Sequence, residues 1–206
     1  SERLDLYKKY AQELVDKKVA YYDEQAIRFK IPPHRRVEWE DLIQGKIGFD
    51  SDEVNDPVLL KSDGFPTYHL AVVVDDHLME ISHILRAAEW ISSTPKHLLI
   101  YEALGWKAPQ IGHFSVILGP DKAKLSKRHG AKSVLDYMEE GYLPQALVTF
   151  MAYLGWTYED NSQLLTMEEL IKHFDLKGVH KQNPIFDQKK LDYFNALAIR
   201  QMSQGE

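Results

Sequence analysis

Thr94-Pro95-Lys96-His97-Leu98-Leu99-Ile100-Tyr101-Glu102-Ala103-Leu104-Gly105, followed by His113-Phe114-Ser115-Val116-Ile117-Leu118, is the stretch on which the fold turns. Threonine ahead of proline reads as a helix N-cap with proline in the first turn, and Gly105 is a stop, so the first block predicts a helix ending at Leu104. His113 to Leu118 reads as a strand. Upstream, Ile81 to Arg86 is a further short apolar block; taken as a strand, it completes the order strand, helix, strand that suits a crossover in a parallel sheet. Ligands bind such sheets beyond the carboxyl ends of the strands, where Arg86 and the loop after Leu118 would both sit. The valine run within Tyr68 to Met79 fits helix or strand by pattern alone.

That loop is Gly119-Pro120-Asp121 followed by Lys122-Ala123-Lys124-Leu125-Ser126-Lys127-Arg128-His129-Gly130, with four cations in seven residues. Activating a carboxylic acid with ATP builds negative charge on phosphate oxygens as pyrophosphate leaves, and positioned lysines neutralise it. Lys124 and Lys127, three apart and flanking the small hydroxyl of Ser126, suit that task on a loop that closes over its ligand. The plainer alternative is a solvated turn or a nonspecific RNA-contact patch. Lys132 extends the basic group, and a sparser set follows at Lys172, His173, Lys177, His180 and Lys181.

Composition bounds the rest. The 206 residues are 44% hydrophobic and 27% charged, the profile of a globular chain with a real core. Nothing approaches the roughly 18 apolar residues of a membrane span, no signal-peptide pattern opens the chain, and a cytoplasmic enzyme is the expectation. Zero cysteines remove thiolate nucleophiles, disulfides and cysteine-held zinc. The formal charge of −6 speaks against bulk electrostatic nucleic-acid binding, so an RNA partner would use local patches. Walker A, Gly-x-Gly-x-x-Gly, His-Glu-x-x-His and Gly-x-Ser-x-Gly motifs are missing, which leaves P-loop, dehydrogenase, zincin and hydrolase readings without support. Helices are expected at 4–19, 144–154, 166–174 and from Asp187 onward, and strands at 26–31, 47–49 and 58–61. The aromatics Phe150, Tyr153, Trp156, Phe174, Phe186 and Phe194 are expected in a core.

Lys124-Leu125-Ser126-Lys127-Arg128 closely resembles the KMSKS signature of class I aminoacyl-tRNA synthetases, in its KLSKR form. Upstream, Lys61-Ser62-Asp63-Gly64-Phe65-Pro66-Thr67-Tyr68-His69-Leu70-Ala71, Val72 to Met79, Ile81 to Trp90 and Ser93 to His97 follow in an order that resembles the second half of the glutamyl-tRNA synthetase catalytic domain. The likeness is collinear over most of the chain. It implies an α/β fold, the second half of a Rossmann-type catalytic domain. The expected parts are a connective, acceptor-end insertion at 1–62, the Rossmann half at 63–123, and the KLSKR loop with a helical stem-contact domain at 124–206. It also makes Tyr68 to Met79 a helix and Ile81 to Arg86 the buried strand.

The resemblance further implies ATP-dependent formation of glutamyl-adenylate and transfer to tRNA(Glu), with ATP, its Mg2+ and L-glutamate as ligands, no zinc in this chain, no membrane, and a monomer. Lys124, Ser126 and Lys127 would be catalytic. Glu89, Ile117, Leu118, Lys124, Lys127 and Arg128 would bind ATP, with Ile117 and Leu118 recognising adenine through their backbone. Tyr68, Val72 and Arg86 would line the glutamate pocket, the arginine as a bidentate partner for a carboxylate. The alternative for Arg86 is an ion pair with Glu80 or Glu89. Asp75-Asp76-His77, with His69 and His83, admits a divalent-metal reading, although consecutive residues point to different faces. Glutaminyl-tRNA synthetase, a glutamyl transferase acting on queuosine in tRNA, and a non-catalytic RNA-contact module are the other functional readings. The HIGH-like motif of the family has no counterpart here; Ile111-Gly112-His113 is in the wrong place. Relatives carry several tens of residues after Tyr22, where this chain goes straight to Asp23. The chain therefore reads as a piece of the family's sequence, and by itself it is expected to be inactive.

Overall fold

A computed structural model describes residues 2–126, 132–158 and 163–202. The chain forms two compact units, Ser1–His113 and Phe114–Glu206. The first is α/β. Helix α1 (Leu4–Asp16) turns its Tyr7, Ala11 and Leu14 inward, as their helical spacing predicts, and stops three residues short of the expected end. Strands β1 (Ala20–Asp23) and β2 (Ala26–Phe29) make an antiparallel pair closed by Glu24 and Gln25, with Glu24 at φ +55°. This tight hairpin occupies the place where the longer insertion was expected. Next come β3 (Arg36–Asp41), β4 (Gly45–Asp50) and β5 (Val58–Leu60). The first sheet has the order β1-β2-β5.

The valine run is helical. Helix α2 (Tyr68–Leu78) buries Leu70, Val73 and Val74 completely, so one apolar face outweighs the weak helix preference of β-branched residues. Those side chains share a core with α1, with Ile27, Phe29, Leu59 and Leu60 of the first sheet, and with Leu99, Ile100 and Leu104 of the next helix. Strand β6 (His83–Ala87), helix α3 (Thr94–Leu104) and β7 (Gln110–Phe114) supply the expected crossover, in a second sheet of order β4-β3-β7-β6. β3 and β7 are parallel; β3 and β4 are antiparallel, so the sheet is mixed. The bond from Gln110 N–H to the Ser82 carbonyl ties the start of β7 to the residue before β6, so these strands leave in the same direction.

Further boundaries differ from expectation. Thr94 is the first residue of α3, not its cap, because its fully buried hydroxyl is engaged elsewhere, with Arg86 and the Trp90 carbonyl. At the far end Gly105 takes the left-handed conformation, φ +76°, as a terminator should. β7 begins and ends earlier than His113–Leu118. Pairing of Ile111 with Asp41 fixes its start, and beyond Phe114 the chain leaves the sheet, Ser115 Oγ donating to the carbonyls of His180 and Lys181 and Val116 N–H to Asn183 Oδ1.

The second unit is helical: α4 (Val134–Glu139), α5 (Pro144–Gly155), α6 (Met167–His173) and α7 (Gln188–Gln201). Thr166 and Glu169 form the reciprocal capping box read from sequence, and Asp187 caps α7 through the N–H groups of Lys189 and Lys190. Ser133 and Asp136 form a second box on α4, a helix the sequence reading passed over. Phe150, Tyr153, Trp156 and Phe194 are buried, whereas Phe174 is 49% exposed and Phe186 only half-buried. Among the described residues no helix is long and apolar enough to cross a membrane.

Candidate active site

Arg86 lies near the end of β6, half-buried, and its guanidinium is held on three sides. Nε donates to His113 Nε2 at 3.1 Å, Nη1 to His97 Nδ1 at 3.2 Å, and Nη2 to Thr94 Oγ1 at 2.8 Å, with a longer approach to the Trp90 carbonyl at 3.5 Å. All are neutral acceptors. Among the described residues neither Glu80 nor Glu89 pairs with it, so the local ion-pair alternative does not form. A guanidinium has five N–H donors, and the four bonds leave one on Nη1. A permanently charged, oriented guanidinium with no carboxylate bonded to it has the chemistry to receive an anionic oxygen.

The imidazoles around it are neutral. Burial, then the nearby Arg86 charge, pushes His97 down to about 3. His113 is lowered too, mainly by burial, against the opposing pull of Asp41. Asp41 is 2% exposed and would be pushed up by burial, but the N–H groups of Gln44, His113 and Ile43 and the His113 ring outweigh this and hold it below the ordinary carboxylate range. His69 Nδ1 faces His97 Nε2 at 3.0 Å and extends the polar chain toward α2.

Tyr68 opens α2 with its ring 4.5 Å from that of Trp90 and 5.8 Å from that of His97; the Arg86 guanidinium lies 5.9 Å from the Trp90 ring. The structure therefore gathers Tyr68, Trp90 and His97 beside Arg86. Val72 sits one turn beyond Tyr68, partly buried against the core. The acidic triplet diverges: Asp75 accepts from Tyr7 Oη and pairs with Arg3, Asp76 is raised by burial and by Asp75, and His77 stacks on Trp106 at 3.8 Å. Among the described residues no three metal-ligating side chains converge. Glu89 is exposed, on the 3₁₀ turn Ala88–Ser93 that follows β6.

In the second unit, Gly119 to Ala123 form a tight hairpin. Gly119 N–H bonds the Ala123 carbonyl at 2.8 Å, Leu125 N–H bonds that of Ile117 at 2.9 Å, and Lys122 takes φ +62°. Leu118 bridges to Lys124 on one side and to Ile185 on the other. Leu118 donates to the Pro184 carbonyl and accepts from Phe186, so of the four backbone groups of Ile117 and Leu118 only the Ile117 N–H takes none of these bonds. Lys124 is exposed at the hairpin's end, and Ser126 is partly buried just beyond it. Lys127 and Arg128 lie outside the described residues.

Sequence reasoning missed Thr94, Trp90, His97 and His113 as neighbours of Arg86, and Asp41 behind His113. Their signal was weak: polar residues within apolar blocks, His113 noticed only as part of a failed motif. No local pattern marks a histidine whose partner lies 72 residues away.

The family model for class I tRNA synthetases (E and Q), catalytic domain, matches residues 22–193. A glutamate–tRNA ligase of Dehalococcoides mccartyi is 45% identical over 239 aligned residues, covering 98% of this chain and 49% of that protein; one of Alkaliphilus metalliredigens is 47% identical over 190, covering 92% and 38%. An alignment of 239 positions exceeds the 206 residues here, so the first relative carries positions this chain lacks. A solved glutamate tRNA ligase from Elizabethkingia meningosepticum, in complex with its amino acid, superposes with a TM-score of 0.81 at 40% identity, over 95% of this chain and 42% of that one. The chain spans about half the length of the curated relatives it matches. On the motif order, the fold and these likenesses, this chain belongs to the catalytic-domain family of the class I tRNA synthetases for glutamate and glutamine.

Proposed function

We propose that this chain is the portion of a glutamate–tRNA ligase that holds the amino acid's side-chain carboxylate and the polyphosphate of ATP. The observation that carries the reading is Arg86, a fixed guanidinium whose bonds all go to neutral acceptors, beside the rings of Tyr68 and Trp90. Glutamate would enter with its γ-carboxylate on the remaining Nη1 N–H of Arg86, the Tyr68 ring and Val72 bounding its methylenes. The α-carboxylate then attacks the α-phosphorus of magnesium-bound ATP and pyrophosphate leaves; a hydroxyl of the terminal adenosine of tRNA(Glu) then attacks the acyl carbon of the adenylate and AMP leaves. Lys124 and Lys127 offset charge on the leaving polyphosphate, Ser126 shapes their loop, and Arg128 adds to the field. Glu89, exposed at the end of β6, accepts from ribose hydroxyls. Among the described residues the Ile117 N–H is the backbone donor of this pair left for adenine. Residues 1–62 would contribute to acceptor-end binding, 63–123 to the catalytic half-domain and 124–206 to the tRNA stem. The reading carries with it a cytoplasmic monomer.

Glutamate titrated into the isotope-labelled chain tests this. Millimolar glutamate is expected to shift resonances of Arg86, Tyr68 and Trp90 saturably, glutamine to do so at least tenfold more weakly, and Arg86→Ala to abolish the response, because only the carboxylate brings a negative charge to the cation and its remaining N–H. Equal responses to glutamate and glutamine would overturn the assignment of substrate.

A further inference from the structure

Arg86 is positioned through a relay that crosses the second sheet. In the order β4-β3-β7-β6, β7 lies between β3 and β6. Asp41 ends β3, His113 sits on β7 and Arg86 on β6, so the three side chains come from three adjacent strands. Asp41 divides its oxygens. Oδ1 accepts the backbone N–H groups of Ile43, Gln44 and His113 at 3.1, 2.9 and 3.0 Å; Oδ2 accepts His113 Nδ1 at 2.5 Å, with a longer approach from Trp39 Nε1 at 3.4 Å. Asp41 is 2% exposed and His113 is fully buried.

We infer that Asp41 and His113 are positioning residues: the carboxylate fixes the histidine tautomer, and the histidine in turn aims Arg86 at the ligand's carboxylate. An ionised carboxylate only accepts, so Nδ1 of His113 carries the proton; the Arg86 Nε–H only donates, so Nε2 must be a bare lone pair. The two constraints agree on one neutral tautomer. The same logic orders the other flank. His97 Nδ1 accepts from Arg86, so its Nε2 carries the proton and donates to His69 Nδ1. The guanidinium is clamped between two imidazoles presenting lone pairs, which fixes its plane without neutralising its charge. A buried carboxylate two bonds away stabilises the cation while leaving its ligand face free. In naming the ligand, this inference rests on the functional reading above.

Asp41→Asn is the discriminating variant. The amide oxygen keeps the three backbone bonds, so the strand end stays tied down. The amide NH2 now donates to His113 Nδ1, which forces the proton to Nε2 and sets two donors against each other at the Arg86 Nε contact. In the wild-type chain the His113 ring nitrogens should give a protonated-type 15N shift at Nδ1 and a bare-type shift at Nε2, with the Arg86 Nε–H protected from water exchange. In Asp41→Asn the two ring shifts should exchange character, Arg86 Nε–H exchange should quicken by about tenfold or more, and glutamate affinity should fall by about tenfold. Unchanged ring shifts or unchanged Arg86 exchange in a folded Asp41→Asn chain would overturn the relay. So would a released Arg86 with undiminished glutamate affinity. If the wild-type chain shows the ring and exchange signatures but takes no glutamate, the functional reading fails while the relay stands.

Discussion

Arg86 shows how a residue's role depends on which acceptors reach it. Its charge could have been satisfied locally, by Glu80 or Glu89, and the sheet instead surrounds it with two imidazoles and a hydroxyl. Tyr101 is the converse case. It is 1% exposed on α3, and its hydroxyl has no hydrogen-bond partner among the described residues. Burial raises its pKa, so the group stays a neutral, unsatisfied hydroxyl at any ordinary pH. A buried polar group without a partner costs about 1–3 kcal/mol, while a phenylalanine keeps the ring and its packing. Tyr101→Phe is therefore expected to stabilise the first unit by about 1 kcal/mol, read as a higher urea midpoint with an unchanged slope. A loss of stability would show that the hydroxyl is bonded after all.

Among the elements, α6 is the most exposed to a single change. It has seven residues, it buries none of them, and it depends on the reciprocal bonds of Thr166 and Glu169. Short helices are marginal without tertiary packing, so the cap supplies a large share of what keeps this one formed. Thr166→Ala should cost about 1 kcal/mol. Amide hydrogen exchange should register the loss as faster exchange within Met167–His173, while α5 and α7, whose Phe150 and Phe194 are buried, keep their protection. Equal acceleration in all three would mean that α6 unfolds only with the whole unit. The Thr166–Glu169 capping box and the Gly105 stop were legible in the sequence because they act within one turn. The extent of β7 was not, since its pairing with Asp41 sets its start and the partners of Ser115 and Val116 set its end.

At the scale of the whole molecule, the buried histidines make the first unit acid-sensitive. His97 is neutral when folded and titrates near 3, but near 6.5 when unfolded. Between those values the unfolded chain binds the extra proton, so stability is complete above about pH 6.5 and is lost as pH falls through that window. The groups facing His97 are His69, Arg86, Lys96 and His113, and the first two histidines of the network other than His97 act in the same direction. Asp41 adds to the loss at still lower pH, whereas Asp76, whose pKa is raised, opposes it. At pH 4.5 the His97 contribution alone is roughly 2–3 kcal/mol relative to pH 7.5. Urea denaturation in a Trp156→Phe background, where the remaining tryptophans all report the first unit, should show that loss. His97→Gln, which cannot titrate, should show correspondingly less; parallel losses in both chains would place the acid sensitivity elsewhere.

The sequence by itself determined helices α1, α3, α5, α6 and α7, the Thr166–Glu169 and Asp187 caps, the Gly105 stop, the exclusion of cysteine chemistry and the motif order that marks the family, because each is written in side chains read directly along the chain. It picked out Arg86 but not what holds it. Only the tertiary structure decided that Thr94 serves the arginine and not the helix cap, that Asp75, Asp76 and His77 go separate ways, and that Asp41, 72 residues from His113, bonds the histidine that holds Arg86. The physical reason is strand order: the neighbours of a buried charge are set by which strands lie side by side, and no local propensity encodes that.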